Sequence, residues 1–142
     1  MQGPTDTGFG AVRLEPADGD GPVIVGVHTY PPVSGAMAWW RSSVAGVASL
    51  CSHPPAGLIV AGDLNATRDH APLQNLGGCA SAGEQAGVGG LATWPSATGT
   101  RWLGTTIDHV LVDDGAWRGS NGRVVTVPGT DHRAVVVQLT GR

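Results

Sequence analysis

Gly57-Leu58-Ile59-Val60-Ala61-Gly62 is a run of apolar and small residues that stops abruptly at Asp63-Leu64-Asn65. No polar residue alternates within it, and it is too short for an ordinary helix, so it reads as a core strand. Two more runs have the same character. Val23-Ile24-Val25-Gly26-Val27-His28 ends on a histidine, and Thr106-Ile107-Asp108-His109-Val110-Leu111-Val112 carries a carboxylate inside it. A last run, Arg133 to Leu139, follows Asp131-His132. Strands without a polar face are expected to be covered on both sides. Ala11 to Pro16 alternates apolar and polar residues and precedes a turn at 17–22, so it pairs with 23–28 as a hairpin. A shorter strand is expected at Arg123 to Val127.

Helices fill the gaps. Met37, Trp40, Val44, Val47, Leu50 and Cys51 recur at three- and four-residue steps, one helical stripe. Ser34 is placed to cap that helix and Pro54-Pro55 to close it. Trp39 and Trp40 are adjacent, so one is expected to pack and the other to show. A short helix is expected over about 71–76, with Asp69 as its cap, while 77–90 is Gly/Ala-rich and carries no clear pattern. The pattern is an α/β (α+β) layered domain over 11–142, with a loose lead-in at 1–10.

Composition removes other classes. The 142 residues suit one domain; 41% are apolar and only 13% charged, which excludes a disordered chain. A net charge of −3 argues against a protein that lives on polyanion binding, so a nucleic-acid partner is not favoured by charge. No stretch approaches the roughly 18 apolar residues of a membrane span, and the polar start is no signal peptide, so as written the chain reads as cytoplasmic. Cys51 and Cys79 are too few for a disulfide scaffold and read as two buried thiols, with a single disulfide as the alternative. All eight basic residues are Arg, and only Glu15 and Glu84 stand against nine Asp.

The polar residues of interest gather at strand ends, where a rigid sheet presents functional groups. His28, Asp63, Asn65, Asp108, Asp131 and His132 form a plausible metal-and-base constellation. Each has a plain structural reading too: a strand-end histidine bonded to backbone, or an Asx-type turn at 63–65. Asp108 resists that reading, because a carboxylate between Ile107 and Val110 needs a partner. His109, on the opposite face of the same strand, is read as structural.

Four segments occur in order: VHTYPP (27–32), GDLNAT (62–67), TIDHVLV (106–112) and GTDHRAVVVQL (129–139). Together they resemble the endonuclease/exonuclease/phosphatase superfamily of divalent-metal phosphoesterases over about residues 11–140. The resemblance implies a mostly antiparallel mixed sheet with helices on one face, half of a four-layer α/β/β/α sandwich. It implies metal-dependent hydrolysis of a phosphoester by water attack on phosphorus. His132 would be the base or phosphate contact, Asp108 its orienting carboxylate, and His28 a second phosphate-contacting histidine. Asp63 and Asn65 would position the water and a phosphate oxygen, and Asp131 with Asp63 would bind Mg²⁺ or Mn²⁺. Trp94 and Arg101 are weaker candidates for substrate contact.

The resemblance also implies an absence. Complete members are roughly twice this length, and their first half supplies a strand Asn and the metal's main Glu. Neither Glu15 nor Glu84 has that position. The chain therefore resembles the C-terminal half, and its apolar sheet face is expected to pair with an N-terminal half or a second copy. Some bacterial relatives with similar TWPS and IDHVLV segments carry N-terminal membrane helices, which suggests an exported domain, although this sequence shows none. The alternative to an enzyme is a catalytically silent half-domain serving in binding or assembly.

Overall fold

The computed structural model describes residues 10–97 and 104–142. Arg101 lies outside them. The apolar runs form the centre of a five-stranded sheet: β1 (Val12–Leu14), β2 (Ile24–His28), β3 (Ile59–Asp63), β4 (Cys79–Ser81) and β5 (Asp108–Asp113), in the spatial order β1-β2-β3-β5-β4. β2 and β3 are parallel and every other neighbouring pair is antiparallel, the mixed, mostly antiparallel sheet expected. β1 and β2 make the anticipated hairpin.

Between β2 and β3 runs α1 (Met37–Ser52), the crossover a parallel pair requires. Its stripe packs as expected: Trp40, Val44, Val47 and Cys51 are buried, with Met37 and Leu50 partly so. They meet Val25, Val27, Leu58, Val60 and Leu111 from one face of the sheet. Leu73 and Leu76, in and just after α2 (Ala71–Gln74), close the same core. Complete burial of Leu58, Leu64, Leu73 and Leu111 contributes about 1.5–3 kcal/mol for each side chain. Trp40 is the packed member of the tryptophan pair, and Trp39 is exposed against Tyr30.

Gly62 lets β2 and β3 approach. Its φ is +149°, and a Cβ there would collide with the Val27 carbonyl. Only glycine fits directly before Asp63.

Several details correct the sequence reading. Cys51 and Cys79 form a disulfide with Cα atoms 5.1 Å apart. The unpatterned segment 77–90 hides β4 and α3 (Ala82–Gln85), and β4 brings Cys79 to the end of α1. Closing a loop of sequence separation 28 stabilises by about 3–4 kcal/mol on the chain-entropy account. Ser34 does not cap α1: the helix begins after Ala36, in a turn where the Ala36 N–H donates to the Val33 carbonyl. α2 begins after His70 rather than at an Asp69 cap, and the His70 ring accepts from the Thr67 N–H.

The last strands also differ. β6 (Trp117–Thr126) is longer than expected, and with β7 (Arg133–Gly141) it forms a separate two-stranded sheet rather than extending the first. A bulge between Ser120 and Arg123, with Asn121 at φ +50°, bends this ribbon against α3 and β5. β2 is not covered on both faces: Val25 and Val27 are buried, but Ile24 and His28 are exposed. Among the described residues, no helix is long and apolar enough to cross a membrane.

Candidate active site

Strand register gathers the first three side chains. His28 is paired across the parallel ladder with Asp63, and Asp63 across the antiparallel ladder with Asp108. They form one rung at one end of the sheet, on the face away from α1. His109, one residue on from Asp108, turns into the core, where Nε2 donates to the Ala66 carbonyl at 2.8 Å. Burial lowers its pKa below the ordinary 6.5, so it is a neutral structural histidine, as its position in the strand implies.

The loop before β7 lays His132 over this rung. His132 Nδ1 is 2.9 Å from Asp108 Oδ2. A carboxylate only accepts, so Nδ1 carries the hydrogen and Nε2 keeps its lone pair when the ring is neutral. Nε2 faces Asp63, 3.8 Å from Oδ2, and His28 Nε2 lies 3.6 Å from the same oxygen. Partial burial works to lower the His132 pKa. The Asp108 hydrogen bond and charge, with Asp63 and Asp131, outweigh it and hold the pKa above 6.5. Burial, helped by the Asp108 charge, holds the Asp63 carboxyl above its usual value against the Asn65 N–H and both histidines.

Asn65 helps to shape the loop. It sits in the left-handed region at φ +44°. Its N–H donates to Asp63 Oδ1 at 2.7 Å, the Asx-type turn anticipated as the plain reading, and its side-chain amide donates to the Thr29 carbonyl at 3.0 Å. Trp40 reaches out of α1 to donate to the Asn65 carbonyl at 2.9 Å, and its ring meets His70 edge-on. A buried tryptophan of the core thus sets the loop that carries Asn65.

Asp131 is exposed, and its Oδ2 accepts from Trp94 Nε1 at 3.0 Å. That bond holds its carboxyl below the usual range. Trp94 is half-exposed and begins the cis Trp94–Pro95 peptide. Among the described residues, Asp63, Asp108 and His132 have donor atoms within 4.8 Å of one another and form a group that can hold a metal ion. Two carboxylates and an imidazole make a mixed oxygen and nitrogen donor set, which suits a divalent cation. A cation there would also offset the burial that disfavours ionised Asp63, so the residues present fit such an ion.

Sequence reasoning overlooked Thr93, whose hydroxyl accepts from the Asp108 N–H at 3.2 Å, Trp40 as a site-shaping residue, and the Asp131–Trp94 bond. Thr93 carried one faint signal, its place directly before Trp94-Pro95. The other two contacts join residues 25 and 37 positions apart, with no local pattern to mark them.

The mixed sheet backed by helices, with histidines and carboxylates gathered at one end of its strands, agrees with the family resemblance drawn from the sequence. The chain belongs to the Endonuclease/Exonuclease/phosphatase family, whose model matches residues 2–132. Among solved structures it is similar to a 3′ phosphatase from Neisseria bound to a product DNA hairpin, at TM-score 0.62 and 17% identity, covering 92% of this chain and 64% of that one. It is similar to the catalytic domain of human Nocturnin with a bound sulfate anion, at 0.59 and 17%, covering 93% and 52%. A Bacteroides vulgatus endonuclease/exonuclease/phosphatase gives 0.64 and 18%, covering 93% and 54%. At such identities the likeness establishes the fold. The chain spans between about half and two thirds of the length of these relatives. A comparison with curated proteins finds no match.

Proposed function

We propose that the chain carries the water-activating part of a divalent-metal-dependent phosphoester hydrolase. One observation carries this reading: Asp108 fixes His132 Nδ1–H at 2.9 Å, which turns the Nε2 lone pair toward Asp63. In that tautomer Nε2 takes a proton from a water standing between His132 and Asp63, and Asp108 stabilises the imidazolium that results. Asp63 orients the water, and His28, beside the same carboxylate, donates to a phosphate oxygen. Asp63, the member of the metal-capable group that is not hydrogen-bonded to His132, would hold Mg²⁺ or Mn²⁺; Asp131, the second ligand implied by the resemblance, accepts from Trp94 in this structure. The ion would supply positive charge where negative charge builds on the phosphoryl group. Phosphodiester, nucleic-acid and phosphomonoester substrates share this chemistry.

The test is hydrolysis of bis(p-nitrophenyl) phosphate with Mn²⁺ by the wild-type chain and by His132→Gln. Loss of general-base help is expected to lower the rate by about 10²–10⁴-fold. Equal rates in both would overturn the enzymatic reading for this chain and favour a silent binding or assembly module.

That alternative has one observation behind it. The rung lies at the end of the sheet face that also exposes Val12, Leu14 and Ile24. We propose that the other half of a longer family domain covers this face and so stands against the site. The covering agrees with the chain's match to only part of each relative's length.

A further inference from the structure

Asp108 and His132 belong to different sheets. Asp108 opens β5, whereas His132 stands just ahead of β7, and the two strands are not hydrogen-bonded neighbours. Their 2.9 Å bond therefore depends on whatever fixes one sheet against the other.

The segment Thr93–Ser96 reaches both. On the Asp108 side, the Thr93 hydroxyl is completely buried and accepts from the Ile107 N–H at 3.0 Å and the Asp108 N–H at 3.2 Å. It donates to the Thr105 carbonyl at 3.4 Å, which uses its one hydrogen and both lone pairs. The Thr93 N–H also donates to the Thr105 carbonyl, and Thr105 N–H returns a bond to the Trp94 carbonyl. On the His132 side, the Arg133 N–H donates to the Thr93 carbonyl at 2.7 Å and the Ser96 N–H to the Asp131 carbonyl at 2.6 Å. Arg133 Nη1 adds bonds to the Ala92 and Pro95 carbonyls, each at 3.0 Å. The Ser96 hydroxyl donates to the Thr130 carbonyl at 2.9 Å.

We propose that Thr93–Ser96 is a splint between the two sheets, and that Thr93 and Arg133 are positioning residues that set the Asp108–His132 pair. Thr93 holds the backbone of the carboxylate's residue, and Arg133 holds the strand start that follows the imidazole. Neither touches the reacting atoms. The inference rests on the reading of Asp108 and His132 as the base pair. It adds that their alignment comes from a third segment, not from either strand.

Proton NMR of the metal-free chain at low temperature tests it without reference to turnover. The wild type is expected to show a low-field His132 Nδ1–H resonance that disappears in Asp108→Asn. Thr93→Val keeps the shape of the side chain but none of its hydrogen bonds, so it is expected to lose or shift that resonance. Thr93→Ser keeps the hydroxyl and is expected to restore it. With bis(p-nitrophenyl) phosphate and Mn²⁺, Thr93→Val is expected to lower kcat about 10- to 100-fold while KM stays within about twofold. A folded Thr93→Val chain that keeps the wild-type resonance overturns the splint and leaves the functional reading standing. A wild type without the resonance removes the base pair, and both readings fall together. If Thr93→Val does not fold, Arg133→Met frees the same segment from the other side, and its resonance decides in the same way.

Discussion

The two faces of the five-stranded sheet are both apolar but are not equally covered along their width. Toward α1, Val25 and Leu111 are completely buried; on the reverse face Val112 of β5 is completely buried too, whereas Leu14 and Val12 of the edge strand β1 are 59% and 47% exposed. All of these are strand-forming apolar residues, so strand propensity cannot explain the contrast. What differs, among the described residues, is the cover: a sixteen-residue helix packs along one side, whereas on the other the β6–β7 ribbon packs against β5 more than against β1 or β2. The chemistry-bearing rung lies on the less covered side. An apolar sheet face therefore reports which side is meant for packing, while the layer that packs there is a separate matter.

The largest expected effect comes from truncating matched leucines. Leu111→Ala removes a fully buried side chain and is expected to cost about 3 kcal/mol. Leu14→Ala, on the open face, is expected to stay within about 0.5 kcal/mol. Urea denaturation of the two variants measures both, and equal losses would break the contrast. A second effect concerns size in solution. If the open face needs cover, the isolated chain is expected to associate through it, and Leu14→Asp with Ile24→Asp to reduce that association. Light scattering reads the mass, and a well-behaved wild-type monomer would refute the need for cover.

The smallest effect belongs to the rung. Folded His132 holds its proton more tightly than the unfolded chain does, because its pKa is raised above 6.5. Its contribution to stability is then fully present below about pH 6.5 and fades as pH rises through the folded value. Asp63, also raised, acts with the same sign in a more acid range, its contribution fading as pH climbs from 3.8 through its own folded value. Denaturation of the metal-free protein across pH is expected to show this decline, and Asp108→Asn to flatten its upper part. A slope unchanged in that variant would detach the shift from the pair.

Much of this was legible in the sequence. Apolar runs marked β2, β3 and, around Asp108-His109, β5, and three- and four-residue steps marked α1. The ordered polar strand ends brought together His28, Asp63, Asp108 and His132. Less legible was whatever depends on a distant partner. The Cys51–Cys79 bond needed β4, hidden in a Gly/Ala-rich segment whose strand character comes from pairing with β5. The separation of β7 from the main sheet was hidden because a valine-rich strand reads alike in either sheet. The roles of Thr93 and Trp40 arise from bonds across 12 or more residues, which no local period records.

Because His28, Asp63 and Asp108 share one rung, the spacing between them is the spacing of hydrogen-bonded strands, about 4.8 Å. Changes of chain length are therefore not equivalent along the molecule. The turn at 17–21 joins the far ends of β1 and β2 and can grow or shrink without disturbing the rung. One residue inserted between Ile59 and Asp63 would rotate that carboxylate to the helix-covered face, or push it past its neighbours. Insertions that spare the rung are thus confined to the loops beyond it, while the strands behind it are fixed in length.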